Sequence, residues 1–283
     1  MLLPPTQLDE REKPFDDERY IFEPKINGHR LTLSMEGGAV RLYTRHNHDV
    51  TRQYPELYNV PIEDNSDFVL DGEVACINPE SGSIDFELVM ERLTLKKPMQ
   101  IREAITLLPV HFFVFDILRY KGEDLRGWPL VERKKLLREV LCANNYISPL
   151  MSVDNTGVSL FDAIQGKELE GIVAKKKVSK YFDQPEDNWI KIINYNYAVV
   201  QIVGYRKNQF GWLLEYRGKN VGILDVAVPS AHKNAFFGVS KVLLTGEDRN
   251  FVYVKPQINA RVKFRSWTRT GLLRKPVFVE FVV

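Results

Sequence analysis

The sequence Phe22-Glu23-Pro24-Lys25-Ile26-Asn27-Gly28-His29-Arg30 joins two runs that have the composition of β-strands. Tyr20-Ile21-Phe22 precedes its lysine, and the alternating run Leu31-Thr32-Leu33-Ser34-Met35 follows it. A lysine held between two strands can have its pKa lowered from about 10.4 by a neighbouring charge or by burial. In its neutral form such an amine is a nucleophile. We therefore predict a nucleophilic lysine at position 25.

The bulk composition is that of a folded chain of two domains. The 283 residues are 44% apolar and 27% charged, close to the globular average. The two cysteines, Cys76 and Cys142, are not spaced as metal ligands, and their small number is typical of a reducing compartment. There is no signal-peptide pattern and no apolar run of 18 residues. We expect a soluble, cytoplasmic protein that does not enter a membrane.

The charge is divided unevenly along the chain. Residues 195–283 contain 14 Lys and Arg against 5 Asp and Glu, a net charge of +9, which leaves −7 for residues 1–194. A small basic domain beside a larger acidic one favours a polyanionic partner for the basic part. The alternative is a basic surface that only contacts solvent.

The first 194 residues mix strand and helix patterns without βαβ regularity, which predicts an α+β domain with mainly antiparallel sheets. Strands are predicted within 18–45 and at 68–76, 110–118, 169–175 and 189–193. Helices are predicted after Asp85, which can cap one, and at about 100–107, 130–142 and 158–166.

The last 89 residues show short strands around one helix, which predicts a small β-barrel of OB type. Strands are predicted at 199–205, 212–216, 221–228, 251–254, 258–266 and 276–283, and the helix at 230–241.

Four charged residues lie in or beside apolar strands: Lys25, Glu73, Glu170 and Lys191. Charges in such places are costly unless they pair or meet a ligand. Two carboxylates and two cations match the needs of a nucleoside triphosphate with Mg²⁺, or Mn²⁺ in its place. Each residue alone is more typical of a structural ion pair, but the set of four indicates a site.

In order along the chain, these residues and their neighbours resemble the motifs of the covalent nucleotidyltransferases, above all the small ATP-dependent DNA ligases of bacteria and phages. The first motif of that family is Lys-x-Asp-Gly-x-Arg, which Lys25-Ile26-Asn27-Gly28-His29-Arg30 resembles. The other similar stretches are Thr44-Arg45, Leu70-Asp71-Gly72-Glu73, Phe113-Val114-Phe115-Asp116, Leu169-Glu170-Gly171-Ile172-Val173-Ala174-Lys175, Trp189-Ile190-Lys191 and Leu273-Arg274-Lys275-Pro276-Val277-Phe278.

The resemblance implies a role for each matching residue. Lys25 would become adenylated, Glu23 would bind the adenine amino group, and Phe115 would stack on the ring. Arg45 and Glu73 would hold the ribose, and Arg30 would contact a phosphate or the nick. Glu170, with help from Glu73, would bind the metal. Lys191 would contact the α-phosphate, and Arg274 would orient the leaving pyrophosphate.

Two positions depart from the family pattern. Asn27 stands where the family has aspartate, which leaves the tuning of Lys25 by that carboxylate in doubt. Ile193 stands where a second lysine is usual, so one phosphate contact is either missing or supplied from the run Lys175-Lys176-Lys177. That run is otherwise typical of a solvated strand edge.

The resemblance implies an α+β fold: a nucleotidyltransferase (adenylation) domain over 1–194, with ATP-grasp-like antiparallel sheets and helices, and a C-terminal OB-type β-barrel over 195–283. It implies a monomeric ATP-dependent DNA ligase that acts on nicked duplex DNA through a lysyl-AMP intermediate. The alternatives are an RNA ligase with the same chemistry, a guanylyltransferase, and a non-catalytic nucleic-acid-binding module.

Overall fold

The computed structural model describes residues 8–64, 66–78, 82–165, 169–181 and 187–282. The chain divides into two compact units, Met1–Asn194 and Tyr195–Val283. None of the helices formed by the described residues has the length and apolar character needed to cross a membrane.

Among its described residues, the first unit combines short strands, long strands, four α-helices and two 3₁₀-helices, Thr51–Gln53 and Pro55–Leu57. The strands are β1 (Asp9–Glu10), β2 (Asp17–Pro24), β3 (His29–Glu36), β4 (Ala39–Thr44), β5 (Phe68–Ile77), β6 (Ile84–Asp85), β7 (Val110–Tyr120), β8 (Glu123–Asp124), β9 (Ile147–Pro149), β10 (Val153–Asn155), β11 (Gly171–Lys176) and β12 (Trp189–Ile193). The helices are α1 (Phe86–Thr94), α2 (Pro98–Leu107), α3 (Leu130–Val140) and α4 (Gly157–Gln165).

The predicted helices of this unit are confirmed to within a few residues where the structure describes them; residue 166 lies outside the described residues. The predicted cap at Asp85 is also confirmed, because its carboxylate accepts hydrogen bonds from the backbone amides of Glu87 and Leu88. Strand β11 begins at Gly171, two residues later than predicted.

Two sheets form the first unit. One has the strand order β1-β12-β11-β2-β10 and is antiparallel except for the pairing of β1 with β12. The other has the order β4-β3-β5-β7-β8, with β6 beside β5 and β9 parallel to β7. The mainly antiparallel pairing and the mixture with helices confirm the α+β prediction.

A small apolar cluster connects the two sheets. It includes Ile21 of β2 and Trp189 of β12 from the first sheet, and Ala75 of β5 and Phe115 of β7 from the second. The outer face of the first sheet packs against α4, and that of the second against α1 and α3. The two sheets therefore face each other, and the charged motif residues Lys25, Glu73 and Glu170 lie at this interface.

The second unit is a six-stranded sheet with one helix and a two-stranded hairpin. Its elements are β13 (Asn196–Arg206), β14 (Trp212–Tyr216), β15 (Lys219–Leu224), α5 (Ser230–Ser240), β16 (Leu244–Glu247), β17 (Phe251–Phe264), β18 (Ser266–Trp267), β19 (Leu273–Arg274) and β20 (Val277–Val282). The order is β15-β14-β13-β17-β16, with β20 also on β17, and β18 pairs with β19. Its core includes Trp212, Phe236 and Phe264.

Strand β17 is one strand of 14 residues, where the sequence analysis predicts two. Pro256 lies between the two predicted strands, and proline has no amide hydrogen to donate to a neighbouring strand. In the structure, the pairing of β13 with β17 shifts register between Ile202 and Gly204, opposite the segment that holds Pro256. A bulge accommodates a proline within a continuous strand.

Candidate active site

The connection from β2 to β3 carries Lys25 from one sheet to the other. The Lys25 amide donates to the carbonyl oxygen of Gly171 at 2.8 Å, which ties the connection to β11. Gly28 then passes so close to β5 that a Cβ atom there would collide with the carbonyl oxygen of Val74. A glycine is required at this point, and it brings the connection against the strand that carries Glu73.

The side chain of Lys25 is paired with a predicted metal ligand. Its Nζ donates to Oε2 of Glu170 at 2.8 Å. The side chains of Lys25 and Glu170 are 16% and 5% exposed, so solvent reaches the amine more easily than the carboxylate. Gly171, with φ +141°, follows Glu170 where a Cβ atom would collide with the carbonyl oxygen of Ile192. Glycine therefore allows β11 to begin beside Glu170.

Glu73 lies in the same charge cluster. Burial raises the pKa of Glu73 to about 7, while the positive charges of Lys25 and Arg30 act in the opposite direction. The negative charges of Glu170 and Asp71 raise it further. The ionised form of a carboxylate whose pKa is raised by burial and by neighbouring negative charges is stabilised by an added cation.

Two interacting carboxylates fit a hard divalent cation, because Mg²⁺ takes one or two protein carboxylates and keeps several waters. In the part of the chain that the structure describes, no three His, Cys, Asp or Glu side chains form a fuller metal cage. The donors suit an ion shared with a phosphate substrate better than a resident structural ion.

Lys191 lies on β12 and pairs with the short strand β1. Its Nζ is 3.1 Å from Oε2 of Glu10. Strands β1 and β12 are parallel, with Glu10 in register with Lys191. Glu10 was not predicted as a site residue. Ile193, the position that departs from the family pattern, is buried in the same strand.

Glu23 and Phe115 are buried between the sheets. Glu23 pairs with Lys134 and Lys175, and the Phe115 ring packs edge-on against Trp189 with 6.0 Å between centroids. Both lysines are buried, so the expectation that the lysine run is a solvated edge is wrong for Lys175.

Arg30 points into the sheet. Its Nε and Nη2 donate to Oδ1 and Oδ2 of Asp71 at 3.0 and 2.5 Å. The hydroxyl of Tyr181 donates to Oδ2 of the same carboxylate at 2.8 Å. The Cζ atom of Arg30 lies 5.2 Å from the centroid of the Phe115 ring. Arg30 thus lies beside the predicted base-stacking ring, held by two residues that the sequence analysis does not place in the site.

Two predicted site residues are not part of this sheet interface within the first unit. Arg45 is in the exposed turn after β4, where its Nε donates to Nε2 of His46 at 3.0 Å. Arg274 is on β19 of the second unit, and its carbonyl oxygen accepts from the Arg265 amide at 3.0 Å. The structure brings together Lys25, Glu73 and Glu170, and places Glu23, Arg30 and Phe115 at the same sheet interface.

A buried ion pair supports this interface from behind. Nε and Nη2 of Arg133 donate to Oδ1 and Oδ2 of Asp116 at 2.8 and 2.7 Å, and both side chains are fully buried. Arg133 is on α3 and Asp116 is on β7. The pair fixes the helix that carries Lys134.

The strand alternation along β11 identifies Lys175 as a residue of this interface once the register with β2 is known. In β11, Val173 is in register with Glu23, and side chains alternate between faces along a strand. Lys175 therefore lies on the same face as Val173 and Glu23. Lys134 gave no comparable signal, because it lies among the other charges of the amphipathic helix α3.

Facing sheets, with a lysine, two carboxylates and an aromatic ring between them, are consistent with the class of the nucleotidyltransferases, which the motif resemblance implies. Residues 4–192 match the family described as "ATP dependent DNA ligase domain". The chain is 36% identical to the SPbeta prophage-derived DNA ligase-like protein LigB of Bacillus subtilis, over 100% of both chains. The chain belongs to the ATP-dependent DNA ligase family.

Other relatives are longer than this chain. It is 31% identical to the bifunctional non-homologous end joining protein LigD of Bacillus subtilis, over 92% of this chain and 46% of LigD. Among solved structures, mycobacterial DNA ligase D complexed with ATP and MES has a TM-score of 0.56 at 24% identity, over 98% of this chain and 95% of that one. A Lig E DNA ligase has a TM-score of 0.66 at 15% identity, over 98% and 99%. These two likenesses concern the fold alone.

Proposed function

We propose that this ATP-dependent DNA ligase works through AMP bound covalently to Lys25. The observation that carries the proposal is the pairing of Lys25 Nζ with Glu170 Oε2 at 2.8 Å, beside Glu73. Glu170 and Glu73 would hold the metal ion of a triphosphate beside this amine, and the neutral amine would supply the nucleophile.

The reaction proceeds in three displacements at phosphorus. The Lys25 nitrogen loses its proton and bonds to the α-phosphorus of ATP, and the bond to the β-phosphate oxygen breaks to release pyrophosphate. A 5′-phosphate oxygen at a DNA nick then attacks the same phosphorus and frees Lys25. Finally the 3′-hydroxyl attacks the 5′-phosphorus, AMP leaves, and the strand is closed.

Glu170 and Glu73 would hold Mg²⁺, or Mn²⁺ in its place. When bound, the ion would neutralise charge on the phosphates as it develops. Lys191 contacts the α-phosphate after exchanging Glu10 for it. Arg30 turns from Asp71 toward a phosphate in the DNA-bound state. Arg45 and Glu73 hold the ribose, and Arg274 orients the pyrophosphate; these assignments are carried over from the family motifs.

The base of ATP stacks on Phe115, and its 6-amino group donates to Glu23. The burial of both residues at one sheet interface supports this pairing of roles. Family membership removes the support for a non-catalytic module.

We also propose that the second unit is an OB-type barrel that contacts nicked duplex DNA. Its long strand β17 pairs with β13, β16 and β20, as a strand that curves around a small core does. Its net charge of +9 supports backbone contacts, so affinity for DNA should fall steeply with salt. The monomeric state and the cytoplasmic location stay predictions.

The proposal is tested by incubating the protein with α-labelled ATP and Mg²⁺. Wild type is expected to form a labelled, acid-labile adduct that maps to Lys25 by mass spectrometry, and Lys25→Ala is expected to form none. Lys135→Ala, which changes an exposed lysine of α3, is the matched control. A wild-type protein without the adduct would refute the proposal.

The RNA-ligase alternative needs a second assay. Nicked duplexes that differ only in having DNA or RNA strands are compared under the same conditions. Preferential closure of RNA nicks would contradict DNA as the substrate.

A further inference from the structure

The carboxylate of Glu23 lies between two buried ammonium groups. Lys134 Nζ donates to its Oε1, and Lys175 Nζ lies 2.7 Å from its Oε2. The three residues come from β2, α3 and β11, and each is at most 2% exposed. Burial alone would raise the pKa of Glu23, but the two lysines outweigh it and lower the pKa. The side chain of Glu23 is therefore held in its ionised form, with neither oxygen protonated.

Lys175 is also fixed by two aromatic rings. Its Nζ lies 4.0 Å from the centroid of the Phe115 ring and 3.9 Å from that of Trp189. Burial lowers the pKa of Lys175 to about 8, while the charge of Glu23 acts in the opposite direction. A cation over aromatic faces is attracted by their quadrupoles. The ammonium group thus lies in contact with both Glu23 and the predicted stacking ring.

The other charged groups around this cluster are already paired. Asp116 of β7, which acts on Lys175, is neutralised by Arg133 of α3. Arg30 of β3, near the Phe115 ring, is neutralised by Asp71 of β5. The charge state of Glu23 therefore depends mainly on its two lysine partners.

We propose that Lys175 determines which purine the site accepts, by holding Glu23, together with Lys134, as a carboxylate that can only accept hydrogen bonds. This inference rests on the proposed function, in which Glu23 and Phe115 receive the base of ATP. The 6-amino group of adenine donates hydrogen bonds. The 6-oxo group of inosine or guanosine nucleotides only accepts them, and an ionised carboxylate repels it.

Removing Lys175 changes this selection. With only Lys134 as partner, Glu23 is protonated at a lower free-energy cost, and a protonated carboxyl can donate to a 6-oxo group. Each unit by which the pKa of Glu23 rises makes this form tenfold more accessible. The variant should therefore accept 6-oxo purines more readily, and more so at lower pH.

The test measures kcat and KM for lysyl-nucleotide formation with α-labelled ATP and α-labelled ITP. Wild type, Lys175→Met and the exposed-lysine control Lys135→Met are compared at pH 6.5 and pH 8. For Lys175→Met we expect the ratio of kcat/KM for ATP over ITP to fall about tenfold, mainly through KM, with a larger fall at pH 6.5. Lys135→Met is expected to keep the wild-type ratio.

Two further variants separate selection from a loss of folding. Lys175→Arg keeps the positive charge and is expected to retain at least half of the wild-type ratio. Glu23→Gln replaces the carboxylate by an amide that both donates and accepts, and it is expected to lower the ratio with both lysines in place. If Lys175→Met fails to unfold cooperatively, the ratios measured for these two variants test whether Lys175 and Glu23 determine the choice of purine.

The inference is overturned if Lys175→Met slows ATP and ITP equally and leaves their ratio unchanged, since that is the result of a merely structural role. It is also overturned if Glu23→Gln keeps the wild-type ratio. A wild-type protein that forms no adduct with either nucleotide contradicts the proposed function itself, so the two failures are distinguishable.

Discussion

The amine of Lys25 and the carboxylate of Glu170 are 145 positions apart in the chain and 2.8 Å apart in space. They meet where β2 ends and β11 begins, in neighbouring strands of one sheet. The contact joins the proposed nucleophile to a proposed metal ligand, so a change at Glu170 affects both.

Glu170→Gln is expected to slow lysyl-AMP formation by about 100-fold, as the loss of one preorganised charged group in an active site does. The amide keeps the shape of the side chain but removes the charge that suits both the metal ion and the amine. The measurement is the single-turnover rate with labelled ATP. Glu18→Gln, at an exposed position of β2, should react at the wild-type rate. A Glu170→Gln rate within threefold of wild type would contradict the assignment.

His29→Gln is expected to make the free energy of unfolding less dependent on pH. Burial lowers the pKa of His29 to about 4, and its Nε2 is 2.7 Å from the Tyr54 hydroxyl. Because the folded pKa is depressed, the stability is fully present above pH 6.5 and is lost as the pH falls toward 4. The free energy of unfolding falls by about 3 kcal/mol over this range, since each pKa unit corresponds to about 1.36 kcal/mol.

The measurement is the free energy of unfolding in urea at pH 7 and pH 5. The difference between the two values should be smaller in His29→Gln than in wild type. His48→Gln changes an exposed histidine and should keep the wild-type difference. Equal differences in all three proteins would show that folding does not lower the pKa of His29.

Arg133→Met is expected to lower the free energy of unfolding by about 3–5 kcal/mol, because it leaves Asp116 buried without a counter-charge. The double variant Arg133→Met with Asp116→Leu should recover much of this loss, since it removes both charges. Chemical denaturation of the single and double variants gives the comparison. If the double variant is no more stable than Arg133→Met, the loss arises from packing and not from the charge.

Glu10→Ala is expected to lower KM for ATP in lysyl-AMP formation. The carboxylate of Glu10 pairs with Lys191, which in the proposed function exchanges Glu10 for the α-phosphate. A partly exposed ion pair is worth about 0.2–1 kcal/mol, so the decrease should be at most about fivefold. Glu18→Ala is the matched control, and an increase in KM for Glu10→Ala would mean that Glu10 assists the reaction.

Much of the fold is predictable from local patterns. The cap at Asp85 and the apolar periodicity of the helices depend on neighbouring residues, and these predictions are confirmed. Strand β17 was divided wrongly because the bulge that accommodates Pro256 depends on its pairing with β13. The pattern along one strand does not contain that information.

The residues of the candidate site also differ in whether they can be identified from the sequence. Lys25, Glu73 and Glu170 stand out as charges in apolar strands, so they can be identified without knowing their partners. Lys134 cannot, because it lies in an amphipathic helix full of charges and its partner Glu23 is 111 positions away. Lys175 was hidden in a run of three lysines, of which only the first is buried.

Strand β1 has a practical consequence for preparing the protein. Its two residues cover the edge of the sheet that leads to the proposed nucleophile Lys25, and the Arg11 amide donates to the Lys191 carbonyl oxygen at 3.0 Å. A purification tag or a trimmed leader that pulled this segment away would uncover a strand edge able to pair with another molecule. Preparations that differ at the amino end should therefore be checked for aggregation before their nucleotide affinities are compared.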